Sequence, residues 1–317
     1  MTAMKKMVEE NHELHLATDK DTFIERFADR CGVDPITFIE RCVDADSISA
    51  IILGGSIPLR TATGASDVDF IVLTRDGARY KDHACEGAEF DEDQIFSASY
   101  SHALNNLKRE TLVQNVDGVE VDVDLIELSS VLEISALTNR SEASLTSDHV
   151  RILSRIKTGW LLHCAESSSE QISIIQKDRA LSLRTAVSNM RNAIKAHGHA
   201  RAAVATNPDV SVYLARASLE WAFMSVLSAL GCAYPGEKWL LILERNVAGD
   251  LDERRIPSEL YRTGVDLLFP KRMNDTHDVE CYLKNVGGWI NQVRRWVELD
   301  PTNKLANAFC KQIYDLA

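Results

Sequence analysis

The stretch GGSIPLRTATGASDVDF, residues 54–70, joins two short apolar runs at residues 51–53 and 70–73. Apolar runs of this length on either side of a segment rich in Gly, Ser and Thr predict two β-strands connected by a loop. In the second strand, alternation places Asp67 and Asp69 on the same face, with their Cα atoms roughly 7 Å apart. Two interpretations follow: a hairpin with a polar turn, or a loop and a carboxylate pair that bind a metal ion and a phosphate.

A third predicted strand carries further acids. The segment VEVDVDLIEL, residues 119–128, alternates strictly, so Glu120, Asp122 and Asp124 share one face while the other face is apolar. If this strand neighbours the first aspartate pair, at least three carboxylates converge, and facing like charges destabilise a sheet. A divalent cation bound through oxygen ligands offsets that repulsion. The two strands together therefore favour a metal site over a plain hairpin.

The loop before the aspartates has the composition of a phosphate-binding segment. Glycines such as Gly54 and Gly55 let a backbone approach a ligand closely, and successive N–H groups beside the Ser56 hydroxyl can hold phosphate oxygens. Neither GxxxxGK[ST] nor GxGxxG is present, which excludes a P-loop and a dinucleotide fingerprint at this position. Ser66, directly before Asp67, is either a further phosphate contact or a hydroxyl at the start of the strand.

The order Gly55-Ser56, ten residues, Asp67-Val68-Asp69 and a later strand acid resembles the nucleotidyltransferase superfamily related to DNA polymerase beta. The resemblance covers residues 50–126, and the layout of the whole chain is most similar to aminoglycoside-type and other small-molecule nucleotidyltransferases. It implies two Mg²⁺ ions, an NTP and transfer of a nucleoside monophosphate. It also implies that Asp67 and Asp69 ligate both ions and that Gly55 and Ser56 hold the triphosphate.

The resemblance requires a third acid, which joins one metal and acts as, or assists, the base for the acceptor hydroxyl. Asp122 is the first choice, because it lies in the middle of the predicted strand between apolar residues. Asp124, on the same face, is the alternative and a further candidate metal ligand. Glu120 lies nearer the preceding turn and is the weakest candidate.

The sequence predicts an α+β fold in two domains: residues 1–143, with N-terminal helices followed by strands, and an all-α domain, 144–317. The resemblance implies that the first domain is a small mixed-sheet nucleotidyltransferase core. Apolar residues at helical spacing predict helices at 21–30 and after Asp34-Pro35, and the segments 93–110 and after residue 128 are also interpreted as helices. From about residue 145 onward the chain is predicted to be entirely helical. These helices are 146–164, 170–200, 208–230, 237–247, 257–268, 275–299 and 302–316.

Two stretches of the helical half, residues 209–231 and 234–245, are loosely similar to the substrate domain of small-molecule nucleotidyltransferases. Lys238 opens a predicted helix after Pro235-Gly236, and a helix start attracts anions. We interpret Lys238 as a contact to the triphosphate, against the alternative of a solvated first-turn lysine. Three further residues are weaker candidates for an acceptor pocket: Tyr213, Arg216 and Glu220.

Bulk properties narrow the function classes. The net charge is -12 and no long Lys/Arg run occurs, which disfavours nucleic acid as a partner. No apolar stretch reaches the roughly eighteen residues of a membrane span, and the N-terminal residues lack a signal-peptide core, so a cytoplasmic protein is expected. The seven cysteines form no CxxC pair, which disfavours a zinc site.

The leading hypothesis is therefore a Mg²⁺-dependent nucleotidyltransferase that moves AMP from ATP to a hydroxyl of a small-molecule acceptor. ATP is the default nucleotide, because no residue singled out above distinguishes the four bases. Alternatives are a protein AMP-transferase, nucleotide addition to RNA, and a nucleotide-binding regulatory module without activity. Retention of all the acids favours an enzyme over the regulatory module.

Overall fold

The computed structural model describes most of the chain and divides it into two compact units, Met1–Asp178 and Arg179–Ala317. The division lies later than the predicted boundary near residue 143, because a helix and a strand between residues 147 and 164 pack with the sheet of the first unit. The described residues are 17–63, 66–75, 77–81, 100–104, 107–116, 118–138, 145–233, 256–270, 273 and 275–298.

The first unit contains a mixed six-stranded sheet with the strand order β3-β4-β5-β2-β1-β6. Strands β2 and β5 are parallel, and the other neighbouring pairs are antiparallel. The predicted mixed sheet is thus confirmed. The strands are β1 Ile48–Leu53, β2 Val68–Thr74, β3 Tyr100–Leu104, β4 Leu107–Val116, β5 Val119–Glu127 and β6 Trp160–Cys164.

Two short helices cover one face of this sheet. Helix α1, Lys20–Cys31, begins at the cap Asp19, and α2, Pro35–Cys42, begins at Asp34, whose carboxylate accepts the amides of Ile36 and Thr37. Phe23 and Phe27 of α1 pack edge-on against Phe70 of β2, at a centroid distance of 5.7 Å for Phe27, and Phe38 of α2 packs against Phe70 in a tilted orientation. The predicted N-terminal helices are confirmed. Because they cover one face of the sheet, the acidic side chains of β2 and β5 lie on the opposite face.

Helices α3, Leu128–Thr138, α4, Ser147–Thr158, and α5, Ser169–Lys177, complete the first unit. Helix α4 starts with a capping box in which the Thr146 hydroxyl and the His149 side chain each pair with the other residue's amide. It lies over the acidic face of the sheet, since its Arg155 contacts Asp69 and Asp124. This helix therefore contributes to the site described below.

The predicted helix at 93–110 is wrong, because Tyr100–Leu104 and Leu107–Val116 are strands. Strand β4 pairs with β5 over eight successive positions, from Arg109↔Ile126 to Val116↔Val119. The turn between them depends on Gly118, which has φ 82° and donates its amide to Asn115 Oδ1 at 2.9 Å. Pairing with a complete neighbouring strand outweighs the helical propensity of the segment.

The prediction of an entirely helical chain after residue 145 is also wrong at Trp160–Cys164, which is the edge strand β6 paired with β1. The predicted helix 146–164 ends at Thr158 instead. Gly159 makes the turn into the strand: a Cβ there would lie 2.5 Å from the Ile52 side chain and 2.6 Å from the Leu53 carbonyl. Only glycine fits so close to β1.

All the secondary structure described in the second unit is helical, as predicted. This unit consists of α6 Ala180–Ala203, α7 Pro208–Ala229, α8 Ser258–Leu268 and α9 Thr276–Glu298. The predicted single helix 170–200 is wrong, because the extended backbone of Asp178 separates Ser169–Lys177 from Ala180–Ala203. Buried serines let α6 and α7 approach closely, and Ser225 donates to the Ala186 carbonyl at 2.7 Å. The predicted helices 237–247 and 302–316 fall outside the described residues. No helix in the described part of the chain has the length and apolar character needed to cross a membrane.

Candidate active site

The parallel pairing of β2 and β5 brings the predicted acids together. Asp69 lies directly beside Asp122 in the register, and Asp67 immediately precedes β2. One carboxylate oxygen from each of Asp67, Asp69 and Asp122 lies within 4.8 Å of the others. Side chains at paired positions of neighbouring strands point to the same face, so the two alternating strands produce this group directly. The sequence-based expectation that acids of the two strands converge is confirmed.

Asp122 is the electrostatically most strained member of the group. Burial raises its pKa, with further increases from Asp69 and Asp67, to about 7. Within the described residues, its Oδ1 is buried and has no hydrogen-bond partner. A buried carboxylate oxygen without a partner is costly, and a bound cation would supply the missing ligand and offset the like charges. This atom is the strongest structural indication of a metal position.

The negative charge of Asp69 is partly compensated by a neighbouring guanidinium. Burial raises its pKa to about 6, while the guanidinium of Arg155 acts in the opposite direction. Arg155 Nη2 forms an ion pair with Asp69 Oδ1, although 86 positions separate the two residues in the chain. Sequence reasoning did not single out Arg155. The only sequence signal is a basic residue within the amphipathic segment RILSRIK, residues 151–157, and basic residues are common in such helices.

Asp124 has a different environment from the other acids. Its side chain is 2% exposed, and it accepts hydrogen bonds from Arg109 Nη2 at 2.6 Å, Thr111 Oγ1 at 2.7 Å and Arg155 Nη1 at 3.0 Å. In the register it lies beside Ile71, two residues beyond the Asp69 pair. Both its oxygens are therefore engaged by cations of the protein, and the geometry favours Asp122 over Asp124 as the third acid.

The glycine loop closes directly over Asp69. Gly55 has φ 70°, and a Cβ at this position would lie 1.8 Å from Asp69 Oδ2. The amide of Gly54 donates to the Asp69 carbonyl at 2.8 Å, which fixes the start of the loop. The Ser56 Oγ is buried, and no described residue hydrogen-bonds it. A backbone cradle with an unengaged hydroxyl next to the acids is suited to phosphate oxygens.

The remaining predicted site residues are Ser66, Lys238 and three residues of α7. The Ser66 Oγ accepts the Thr63 amide at 2.9 Å and lies 3.3 Å from the Thr63 hydroxyl, so in this structure it closes the loop; a phosphate contact stays a prediction. Lys238 lies outside the described residues, and its triphosphate contact also stays a prediction. The acceptor-pocket candidates are exposed side chains of α7: Tyr213, Arg216 and Glu220.

The donor set fits a hard divalent cation. It consists of carboxylate oxygens, which suit Mg²⁺, and lacks the thiolate and imidazole ligands preferred by zinc. The unpartnered Asp122 Oδ1 and the raised pKa values of Asp69 and Asp122 are both explained by a cation that the acids would share. The described acidic group is thus compatible with metal binding.

Comparisons with known proteins identify little. No protein-family model and no curated protein sequence matches the chain. Among solved structures, the chain is similar to a nucleotidyltransferase-like protein from Exiguobacterium sibiricum, with a TM-score of 0.40 and 12% identity. The match covers 78% of this chain and 70% of that one. At this level no residue role is transferred, and the roles proposed below depend on the site geometry.

Proposed function

We propose that this protein is a Mg²⁺-dependent nucleotidyltransferase that transfers AMP from ATP to a hydroxyl of a small-molecule acceptor and releases pyrophosphate. The observation that carries the proposal is the juxtaposition of three carboxylates within 4.8 Å and a glycine loop that approaches one of them. A metal site and a phosphate cradle at the same place are what nucleotide transfer needs.

In this proposal Asp67, Asp69 and Asp122 hold the metal, which when bound neutralises charge on the triphosphate and polarises the α-phosphate. The backbone amides of Gly55 and Ser56 bind phosphate oxygens, and the unengaged Ser56 hydroxyl donates to one of them. Because the loop is anchored through the Gly54 amide to the β2 backbone, the phosphates are held in a fixed relation to the acids. Positioning of this kind supplies much of the rate enhancement in phosphoryl chemistry.

The proposed reaction is a displacement at the α-phosphorus. The acceptor oxygen forms a bond to the α-phosphorus, the bond from that phosphorus to the bridging oxygen of the pyrophosphate breaks, and the electron pair leaves with pyrophosphate. The acceptor hydroxyl loses its proton to a carboxylate, and Asp122 is the proposed recipient, through the carboxylate oxygen that the ion would leave unligated.

The direct test is to incubate the protein with each of the four α-³²P-labelled NTPs, Mg²⁺ and a metabolite extract, and to identify labelled products by mass spectrometry. A nucleoside monophosphate on a small metabolite is expected, most strongly with ATP. The Asp69→Asn and Asp122→Asn variants should give no product, whereas Asp46→Asn, an exposed acid outside the site, should match the wild type. Label on RNA or protein would change the acceptor class, and absence of Mg²⁺-dependent NTP binding would refute the proposal.

A further inference from the structure

Arg155 connects the acid group to a second, separate carboxylate. It comes from α4, and its guanidinium contacts Asp69 Oδ1 through Nη2 and Asp124 Oδ2 through Nη1, the latter at 3.0 Å. Its side chain is 15% exposed, so the positive charge is largely shielded from water. A guanidinium can serve two carboxylates at once because its N–H groups form a rigid planar fork. Arg155 therefore holds a position next to the proposed metal ligands.

Asp124 keeps Arg155 in that position. Arg109 and Thr111 both donate hydrogen bonds to its Oδ1. These bonds prevent the carboxylate from rotating, so its Oδ2 stays directed at Arg155. If a cation takes the charge of Asp69, Arg155 still has Asp124 as a partner and is not left as an unpaired buried charge. This second contact removes the main cost of releasing Asp69, since an unpaired buried charge is strongly destabilising.

We propose that Arg155 is a built-in counter-cation that competes with the divalent metal for Asp69, and that Asp124 is its anchor and not a metal ligand. The inference rests on the proposed function in taking Asp67, Asp69 and Asp122 as the ligands. Without metal, Arg155 compensates the acid group and stabilises the empty site. When metal binds, the ion must displace the guanidinium from Asp69 and is repelled by its nearby positive charge, so Arg155 limits the affinity for the ion.

The test measures metal binding without nucleotide, by EPR titration of free Mn²⁺. Arg155→Gln removes the charge and is expected to bind Mn²⁺ about tenfold more tightly than the wild type, because a nearby positive charge is lost. Arg151→Gln is the matched control: Arg151 is one turn earlier on α4, is half-exposed and pairs with Asp148. It loses the same charge and should stay within about twofold of the wild type.

The outcomes separate this inference from the proposed function. If Arg155→Gln binds Mn²⁺ as the wild type does, or more weakly, Arg155 is not a competitor and the inference fails alone. If the wild type and both variants bind no Mn²⁺, the metal site fails, and the proposed function fails with it. If Mn²⁺ binding follows the prediction but no nucleotide transfer occurs, the inference that Arg155 competes with the metal is supported. Only the proposed nucleotidyltransferase activity is then refuted.

A second measurement uses the wild-type protein, in case Arg155→Gln does not fold. The Nε–Hε NMR signals of Arg155 and Arg151 are assigned through Arg155→Lys and Arg151→Gln, and Mg²⁺ is then added. The Arg155 signal should shift as its contact with Asp69 is exchanged, while the Arg151 signal should not move. An unmoved Arg155 signal, under conditions where Mg²⁺ displaces bound Mn²⁺, would overturn the inference.

Discussion

Gly55→Ala is expected to damage both the fold and the metal site, because the position has two independent requirements for glycine. Its φ of 70° is in the left-handed region, which costs an L-residue about 1–2 kcal/mol. In addition, the new Cβ would lie 1.8 Å from Asp69 Oδ2 and 2.7 Å from Asp69 Cγ, so the Asp69 carboxylate or the loop must move. Overpacking of this kind adds about 1–3 kcal/mol.

Gly32 offers a matched control, since its φ is 67° and no described atom lies within 4 Å of a Cβ built on it. Gly32→Ala should therefore lose only the backbone part, about 1–2 kcal/mol, with unchanged Mn²⁺ affinity. Gly55→Ala should lose about 2–5 kcal/mol in urea unfolding and bind Mn²⁺ about tenfold more weakly, because Asp69 is displaced. Equal stability losses in the two variants, with Mn²⁺ binding intact in both, would refute the reasoning that the loop is fitted to Asp69.

Three further predictions test the site. The pKa of Asp122 is raised to about 7, so between about pH 4 and pH 7 the native state keeps a proton that the unfolded chain has lost. In the absence of metal, the free energy of unfolding should therefore fall as pH rises from about 4 to about 7. Urea unfolding at several pH values should show a smaller fall for Asp122→Asn than for the wild type. Asp124→Ala should cost about 3–5 kcal/mol in urea unfolding, because Arg109 loses its buried partner. Ser56→Ala should change stability by less than about 0.5 kcal/mol, because no described group bonds the hydroxyl, yet raise the Kd for ATP with Mg²⁺ about threefold or more.

The correct sequence predictions of the fold depend on local patterns. The caps Asp19 and Asp34-Pro35 and the helical spacing of the phenylalanines predict α1 and α2, and strict alternation predicts β5. The two segments predicted as helix that are strands, within 93–110 and at 160–164, lie at or next to the edges of the sheet. The composition of such segments is ambiguous, and their conformation is decided by the strand they pair with.

The acids of the site could be predicted from sequence because a two-residue period puts Asp67 and Asp69, and likewise Asp122 and Asp124, on one face of each strand. Alternation does not determine whether Asp122 or Asp124 joins Asp67 and Asp69 as the third carboxylate. The parallel register decides this by placing Asp122 beside Asp69 and Asp124 beside Ile71.

The amino-acid sequence by itself determined the chemistry that this protein can offer: an all-oxygen donor set, a glycine loop next to it, and the strands that carry them. Only the tertiary structure determined which of the acids pair with arginines and which do not. Arg155 reaches Asp69 across 86 positions of sequence, and with Arg109 it occupies Asp124 while Asp122 Oδ1 has no partner among the described residues. The physical reason is that strand alternation is a local property, whereas the pairing of buried charges depends on which distant elements pack together.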